Sequence, residues 1–245
     1  MKISGSTVLV TGANRGLGLA FARALLEAGA SKVYAGARNP DAVALPGVVP
    51  LRLDVTRDED VVAAAREAAD VTLLVNNAGI AVPGGFLADG AIEAAREQFE
   101  VNFFGPLRMA RAFAPVLRKN GGGAIINVLS VASWMNGPLL ATYGASKSAA
   151  WALTNGLRIE LEAQGTQVLG LHAGFIDTDL ARGIDAPKST PEEIVRVTLE
   201  TLERGEDQVL ADEITRQVHS GLSAERPVYL ERTAAQREAA SASAH

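Results

Sequence analysis

The stretch that decides the fold is LVTGANRGLG, Leu9 to Gly18. A β-branched apolar run, STVLVT, ends in a turn with three glycines, and an amphipathic segment from about Arg15 to Ala28 carries the chain to Gly29. Strand, glycine turn and helix together aim backbone N–H groups and the positive end of a helix at one point, where an anion such as a pyrophosphate can sit. Gly12, Gly16 and Gly18 follow G-x-x-x-G-x-G, whereas the usual dinucleotide fingerprint is G-x-G-x-x-G. The spacing alone leaves a purely structural turn open.

Outward from this stretch, short β-branched runs alternate with longer amphipathic ones. SKVYAGAR and VVPLRLDV read as the second and third strands, with Pro40 and Pro46 between them, and VTLLVNNAG as the fourth. TRDEDVVAAAREAAD reads as a helix capped by Thr56 with acids in its first turn. Ala91 to Lys119 reads as one long helix, with Pro106 at a kink or near a break. GGAIINVLS, then the helix YGASKSAAWALTNGLRIELEAQ, then TQVLGLHAG supply strands five and six. TPEEIVRVTLETLERG is a capped helix leading to a last short strand in DQVLADE. Such alternation predicts right-handed crossovers and a single-domain, doubly wound α/β fold of Rossmann type: about seven parallel strands with helices on both faces. The domain is expected over residues 1–232, including a substrate lid at about 175–190, with a tail over 233–245.

Bulk properties narrow the function. The chain has 245 residues, a net charge of -5 and no cysteine, so disulfides, thiolate metal sites and cysteine nucleophiles are excluded. No metal is expected, and nucleic acid is an unsuitable partner without a basic face. No run reaches the ~18 apolar residues of a membrane helix, so a soluble, cytoplasmic protein is expected.

Together with the glycine turn, NNAG (Asn76 to Gly79) and YGASK (Tyr143 to Lys147) resemble the short-chain dehydrogenase/reductase family in its compact branch. The resemblance covers nearly the whole chain and implies the strand order 3-2-1-4-5-6-7. It implies that Gly12, Asn14, Arg15, Gly16, Leu17 and Gly18 bind the dinucleotide phosphates, that Asp54 and Val55 flank the adenine, and that Asn77, Ala78 and Gly79 line the adenosine ribose. It implies hydride transfer between nicotinamide and a carbonyl carbon, with Tyr143 as proton donor, Ser130 orienting the oxygen, and Lys147 tuning Tyr143 and holding the nicotinamide ribose. Asn102 matches the asparagine that holds a relay water, though an ordinary buried amide at a helix kink is the alternative. After strand six, Gly174, Ile176 and Thr178 match the loop at the carboxamide, while Ala173 replaces the family's proline and puts loop rigidity in doubt.

The residues themselves add detail. The second strand ends YAGARNP with no acid before Asp41 to hold a ribose 2′-hydroxyl, while Arg38 stands there and Arg15 lies in the glycine turn. Two guanidiniums can clamp a 2′-phosphate through forked, charge-assisted bonds, so NADP(H) is the expected cofactor. Tyr143 and Lys147 are four apart on one helix face, and Ser130 ends strand five, at the sheet edge where open parallel sheets bind ligands. Bringing a phenol of pKa ~10 to neutrality requires roughly 4 kcal/mol, about what a cation ~4 Å away supplies. His172 reads either as an acid or base or as a satisfied strand-end histidine.

Trp134, Met135, Leu139, Leu140, Phe175 and Leu180 make the expected pocket apolar, which fits a hydrophobic ketone or aldehyde, or else a packed lid. Phe99, Phe103 and Phe104, and Trp151, Leu153 and Leu157, suggest a second buried face at a homodimer or homotetramer interface. Three functions remain open: an NADPH-dependent carbonyl reductase, an NADP-linked alcohol or hydroxysteroid-type dehydrogenase, and a non-catalytic NADPH sensor.

Overall fold

The computed structural model describes residues 1–230. The expected domain end at 232 and the tail over 233–245 therefore lie outside the described residues. Seven strands, β1 (Thr7–Thr11), β2 (Lys32–Ala37), β3 (Val49–Arg52), β4 (Leu73–Asn76), β5 (Ala124–Val128), β6 (Gln167–His172) and β7 (Gln208–Leu210), form one sheet in the order β3-β2-β1-β4-β5-β6-β7. All of its pairings are parallel. The order reverses at β1, which lies between β2 and β4, and a ligand crevice opens beyond the carboxyl ends of strands at such a switch point.

Period-two alternation divides each central strand between two cores. Val8, Val10, Leu73, Val75 and Ile126 face α1 (Gly16–Glu27) and α6 (Pro191–Glu203), packing with Phe21, Leu25 and Val195. Leu9, Leu74 and Ile125 point the other way, against α2 (Asp58–Glu67), α4 (Gly105–Lys119) and α5 (Ala141–Leu161), where Met109, Phe113 and Leu157 fill the layer. Both faces of the sheet are thus covered, as strands with continuous apolar runs require.

Three local expectations are corrected. Thr56 does not cap α2: its hydroxyl donates to Asp54 Oδ1 at 2.7 Å, and Arg57 precedes the helix without a side-chain cap. The three acids Asp58, Glu59 and Asp60 in the first turn supply the favourable charge instead. The segment from Ala91 is two helices, α3 (Ala91–Phe99) and α4, joined by a π turn over Glu100–Phe104. Pro106 sits at the start of α4, where its missing N–H costs nothing, so the break lies at the π turn. A further helix, α7 (Glu213–Gly221), follows β7, with the Asp212 carboxylate accepting from Thr215 N at 2.9 Å as its N-cap. At the start of α6 the expected cap is a full capping box between Thr190 and Glu193.

Candidate active site

One cavity of about 1490 Å³ runs along the carboxyl ends of the strands, from Arg38 and Asp54 past the glycine turn to Ser130, Tyr143 and the segment over 173–187. That exceeds the ~300–1,000 Å³ of a typical single-ligand site, which leaves room for a dinucleotide and a second molecule together. At its centre Gly12 turns with φ +67, and a Cβ placed on Gly18 would stand 2.2 Å from the Gly12 carbonyl oxygen, so the turn packs against the first turn of α1 with no space for a side chain. The start of α1 carries neither a side-chain cap nor an acid. Its N–H groups are thus left to a ligand anion.

The turn is braced from β4. Thr11 Oγ1 accepts from Asn77 N and Ala78 N, both at 3.0 Å, and Asn77 Nδ2 donates to Thr11 O at 2.9 Å and Gly12 O at 3.3 Å. Farther out, Asp54 Oδ1 also accepts from Thr56 N at 3.0 Å. Burial raises the Asp54 pKa, but the Thr56 bonds and the Arg38 charge outweigh it, leaving the carboxyl ionised below its usual range.

At the other end, Ser130 begins a 3-10 turn two residues beyond β5, its Oγ accepting from Ala132 N at 3.1 Å. Tyr143 and Lys147 lie on the buried face of α5, with Lys147 Nζ 5.8 Å from the Tyr143 ring centroid and 2.8 Å from Val128 O, to which it donates. A Cβ on Gly79 would stand 3.7 Å from Lys147 Nζ and 3.2 Å from Asn102 Oδ1, so lysine and asparagine converge there. Burial pushes the Tyr143 phenol up to about 12, with the facing Ser130 hydroxyl pulling it back only in part. Burial likewise pushes Lys147 down to about 8. For both groups burial is the leading cause of the shift, and no Lys147 charge enters the causes that set the Tyr143 phenol.

The short chain dehydrogenase family model matches residues 6–189. The chain belongs to the short-chain dehydrogenase family. A crystal structure of a short chain dehydrogenase from Burkholderia cenocepacia, in complex with NADP, is 42% identical, covers 99% of this chain and 98% of its own, and superposes with a TM-score of 0.89. Among curated relatives, the short chain dehydrogenase tazN of Aspergillus terreus is 35% identical over 227 residues, 86% of this chain, and this chain spans about half (49%) of its length. The short chain dehydrogenase mpl6 of Monascus purpureus is 32% identical over 81% of this chain and 77% of its own.

In this short-chain dehydrogenase most of the sequence-predicted residues line the one cavity: Gly12, Asn14 to Gly18, Arg38, Asp54, Val55, Asn77 to Gly79, Ser130, Tyr143, Lys147, Gly174, Ile176 and Thr178. Met135, Leu139, Leu140, Phe175 and Leu180 line it too. Trp134 does not. Its ring turns into the fold, stacked 3.8 Å above His172 and 5.2 Å from His219 on α7, because the 3-10 turn after Ser130 rotates it away from the cavity. Burial pushes His172 down to about 3 despite its bond to the Ser130 carbonyl, which keeps the ring uncharged near neutral pH, and His172 does not line the cavity.

The Arg15 guanidinium pairs with Asp179 at 3.1 Å, so the clamp expected of Arg15 and Arg38 would form only once that pair opens. The Asn102 side chain donates from Nδ2 to Ile80 O and Ser146 Oγ and accepts at Oδ1 from Ile80 N, all at 2.9 Å. One lone pair of Oδ1 is left over. Ala173 lacks proline's ring, yet the following turn is pinned: Gly174 N donates to Asp212 Oδ2 at 2.6 Å, and the same carboxylate caps α7. Asp212 escaped sequence reading, although an acid ahead of an amphipathic run is an N-cap signature. Ile184, Pro187, Ile214, Tyr229 and Leu230 also reach the cavity, from segments without a periodic signal pointing there.

Proposed function

We propose that this chain is an NADPH-dependent reductase of an uncharged, hydrophobic ketone or aldehyde. The observation that carries the reading is the placement of a protonated, buried phenol, a serine hydroxyl and a lysine at one end of a cavity whose other end holds Arg15 and Arg38 and no acid positioned to take a ribose 2′-hydroxyl. Asp54, whose charge Arg38 stabilises, has its Oδ1 taken by the Thr56 amide and hydroxyl. The NADP held by the Burkholderia cenocepacia relative supports the same cofactor choice.

A bound nicotinamide dinucleotide supplies the hydride. The chain's own residues do the rest: the glycine turn and the N-terminus of α1 take the pyrophosphate, while Arg38, joined by Arg15 once it leaves Asp179, takes the 2′-phosphate. Tyr143, fully protonated at neutral pH, donates its proton to the carbonyl oxygen as negative charge develops there, and Ser130 holds that oxygen by a second hydrogen bond. Lys147, protonated below about 8, stabilises the phenolate left behind, and the spare lone pair of Asn102 Oδ1 fits a water that returns a proton through the lysine. A phenol kept protonated supplies the proton that reduction of a carbonyl consumes. Met135, Leu140, Phe175, Leu180 and Ile184 offer apolar walls on the substrate side.

Oligomerisation belongs to the same reading. Leu153 and Leu157 pack into this chain's own core, but Phe86, Ile92, Phe99 and Phe104 line a second, apolar groove of about 740 Å³ along α3 and α5, and we take a homodimer or homotetramer to close over it. The direct test is NADPH oxidation against a panel of ketones and aldehydes of increasing apolar bulk. NADPH binding with no turnover on any carbonyl or alcohol would overturn the proposal in favour of a sensor.

A further inference from the structure

Ser130 stands beyond the end of β5 at the start of a short 3-10 turn, and its hydroxyl has to meet a carbonyl oxygen within hydrogen-bond reach. Its position is set from β6. Val131 N donates to Ala173 O at 2.9 Å, and the Ser130 carbonyl oxygen receives Ser133 N at 3.0 Å from within the turn and His172 Nδ1 at 3.2 Å from the last residue of β6. His172 is fully buried, and Trp134, four residues after Ser130, lies on it with ring planes 19° apart.

The ring's protonation follows from its partners. A carbonyl oxygen only accepts, so a neutral imidazole facing it carries its proton on Nδ1, and the reverse tautomer would set two lone pairs against each other. That choice leaves Nε2 bare, and among the described residues it has no hydrogen-bond partner. A leucine would fill this strand position without an unpaired polar atom, so what distinguishes histidine here is the Nδ1–H.

We propose that His172 is a positioning residue for the reaction: its Nδ1–H, held flat under Trp134, anchors the Ser130 carbonyl and thereby directs the Ser130 hydroxyl toward Tyr143 and the substrate oxygen. The inference rests on the role given to Ser130 under the proposed function. His172 does not line the cavity.

The test compares His172→Leu, His172→Asn and His172→Gln. An asparagine amide nitrogen falls near the place of Nδ1, whereas a glutamine amide reaches toward that of Nε2. His172→Leu is expected to lower kcat about tenfold, less than complete removal of such a donor, with KM and NADPH affinity little changed. His172→Asn should recover most of that loss and His172→Gln little of it. In a Ser130→Ala background His172→Leu should add nothing, since the two residues act as one unit. Amide exchange of Val131 to Ser133, followed on the ligand-free protein, should quicken in His172→Leu and not in His172→Asn. Equal kcat losses in the Leu and Asn variants, an additive effect in Ser130→Ala, or unchanged exchange in His172→Leu would each overturn the inference. Because exchange is read without turnover, an inert wild-type protein would overturn the proposed function while exchange still decides the positioning.

Discussion

At the scale of single residues, Tyr143 and Lys147 set opposite demands on the fold and on the reaction. Burial lowers Lys147 from 10.5 to about 8, so between those values the unfolded chain binds the lysine proton more tightly than the folded one. Stability of the ligand-free protein therefore rises with pH across that window, by roughly 3 kcal/mol from this group. Lys147→Met should be more stable than wild type at neutral pH by about 2 kcal/mol, after allowance for the lost bond to Val128, and the gap should close as pH approaches the unfolded lysine value. Urea unfolding of both proteins across this pH range checks the sign, and a gap independent of pH would contradict it. Burial moves Tyr143 the other way, from 10.0 to about 12, so its unfolded form loses its proton first and stability falls with pH across that upper window. Arg38 carries cofactor choice: Arg38→Asp should reverse a preference for NADPH over NADH, read as the ratio of the two dissociation constants. An unchanged ratio would remove the arginine clamp from the account.

At the scale of elements, two junctions hold the site together. The Asp212 carboxylate ties Gly174 to the start of α7, replacing the stiffness that a proline at Ala173 would give. Asp212→Ala should cost about 1–2 kcal/mol in urea unfolding, the worth of a cap and a charged hydrogen bond, and weaken cofactor binding as the 174–178 loop loosens. In Gly18→Ala a methyl would meet the Gly12 oxygen at 2.2 Å. The expected outcome is loss of NADPH binding by fluorescence titration, and retained affinity would mean that the turn does not hold the phosphates. The glycine turn and the Tyr143–Lys147 pair were legible because each follows from fixed spacing on one element, whereas the strand order and the place of Ser130, on a different element, came with the fold topology and the family resemblance. What was not legible depends on contacts far apart in the chain. Arg15 meets Asp179 across 164 residues, Trp134 turns inward only because of a 3-10 turn, and the π turn at Asn102 leaves the apolar pattern of α3 and α4 reading as one helix.

At the scale of the whole molecule, one cavity runs along the sheet's switch point from Arg15, Arg38 and Asp54 to Met135, Leu140, Phe175 and Leu180, while a separate apolar groove follows α3 and α5. Among the described residues no helix is long and apolar enough to cross a membrane. Phe104→Glu, at the groove and away from Tyr143, should shift the particle to the monomer in light scattering, and an unchanged mass would move the subunit contact elsewhere. The most direct test of the central claim is single-turnover oxidation of NADPH with a bulky apolar ketone or aldehyde, wild type beside Tyr143→Phe. The account predicts turnover by wild type and a loss of about 10²–10⁴-fold in Tyr143→Phe, with NADPH affinity retained. Equal rates in the two proteins would contradict it.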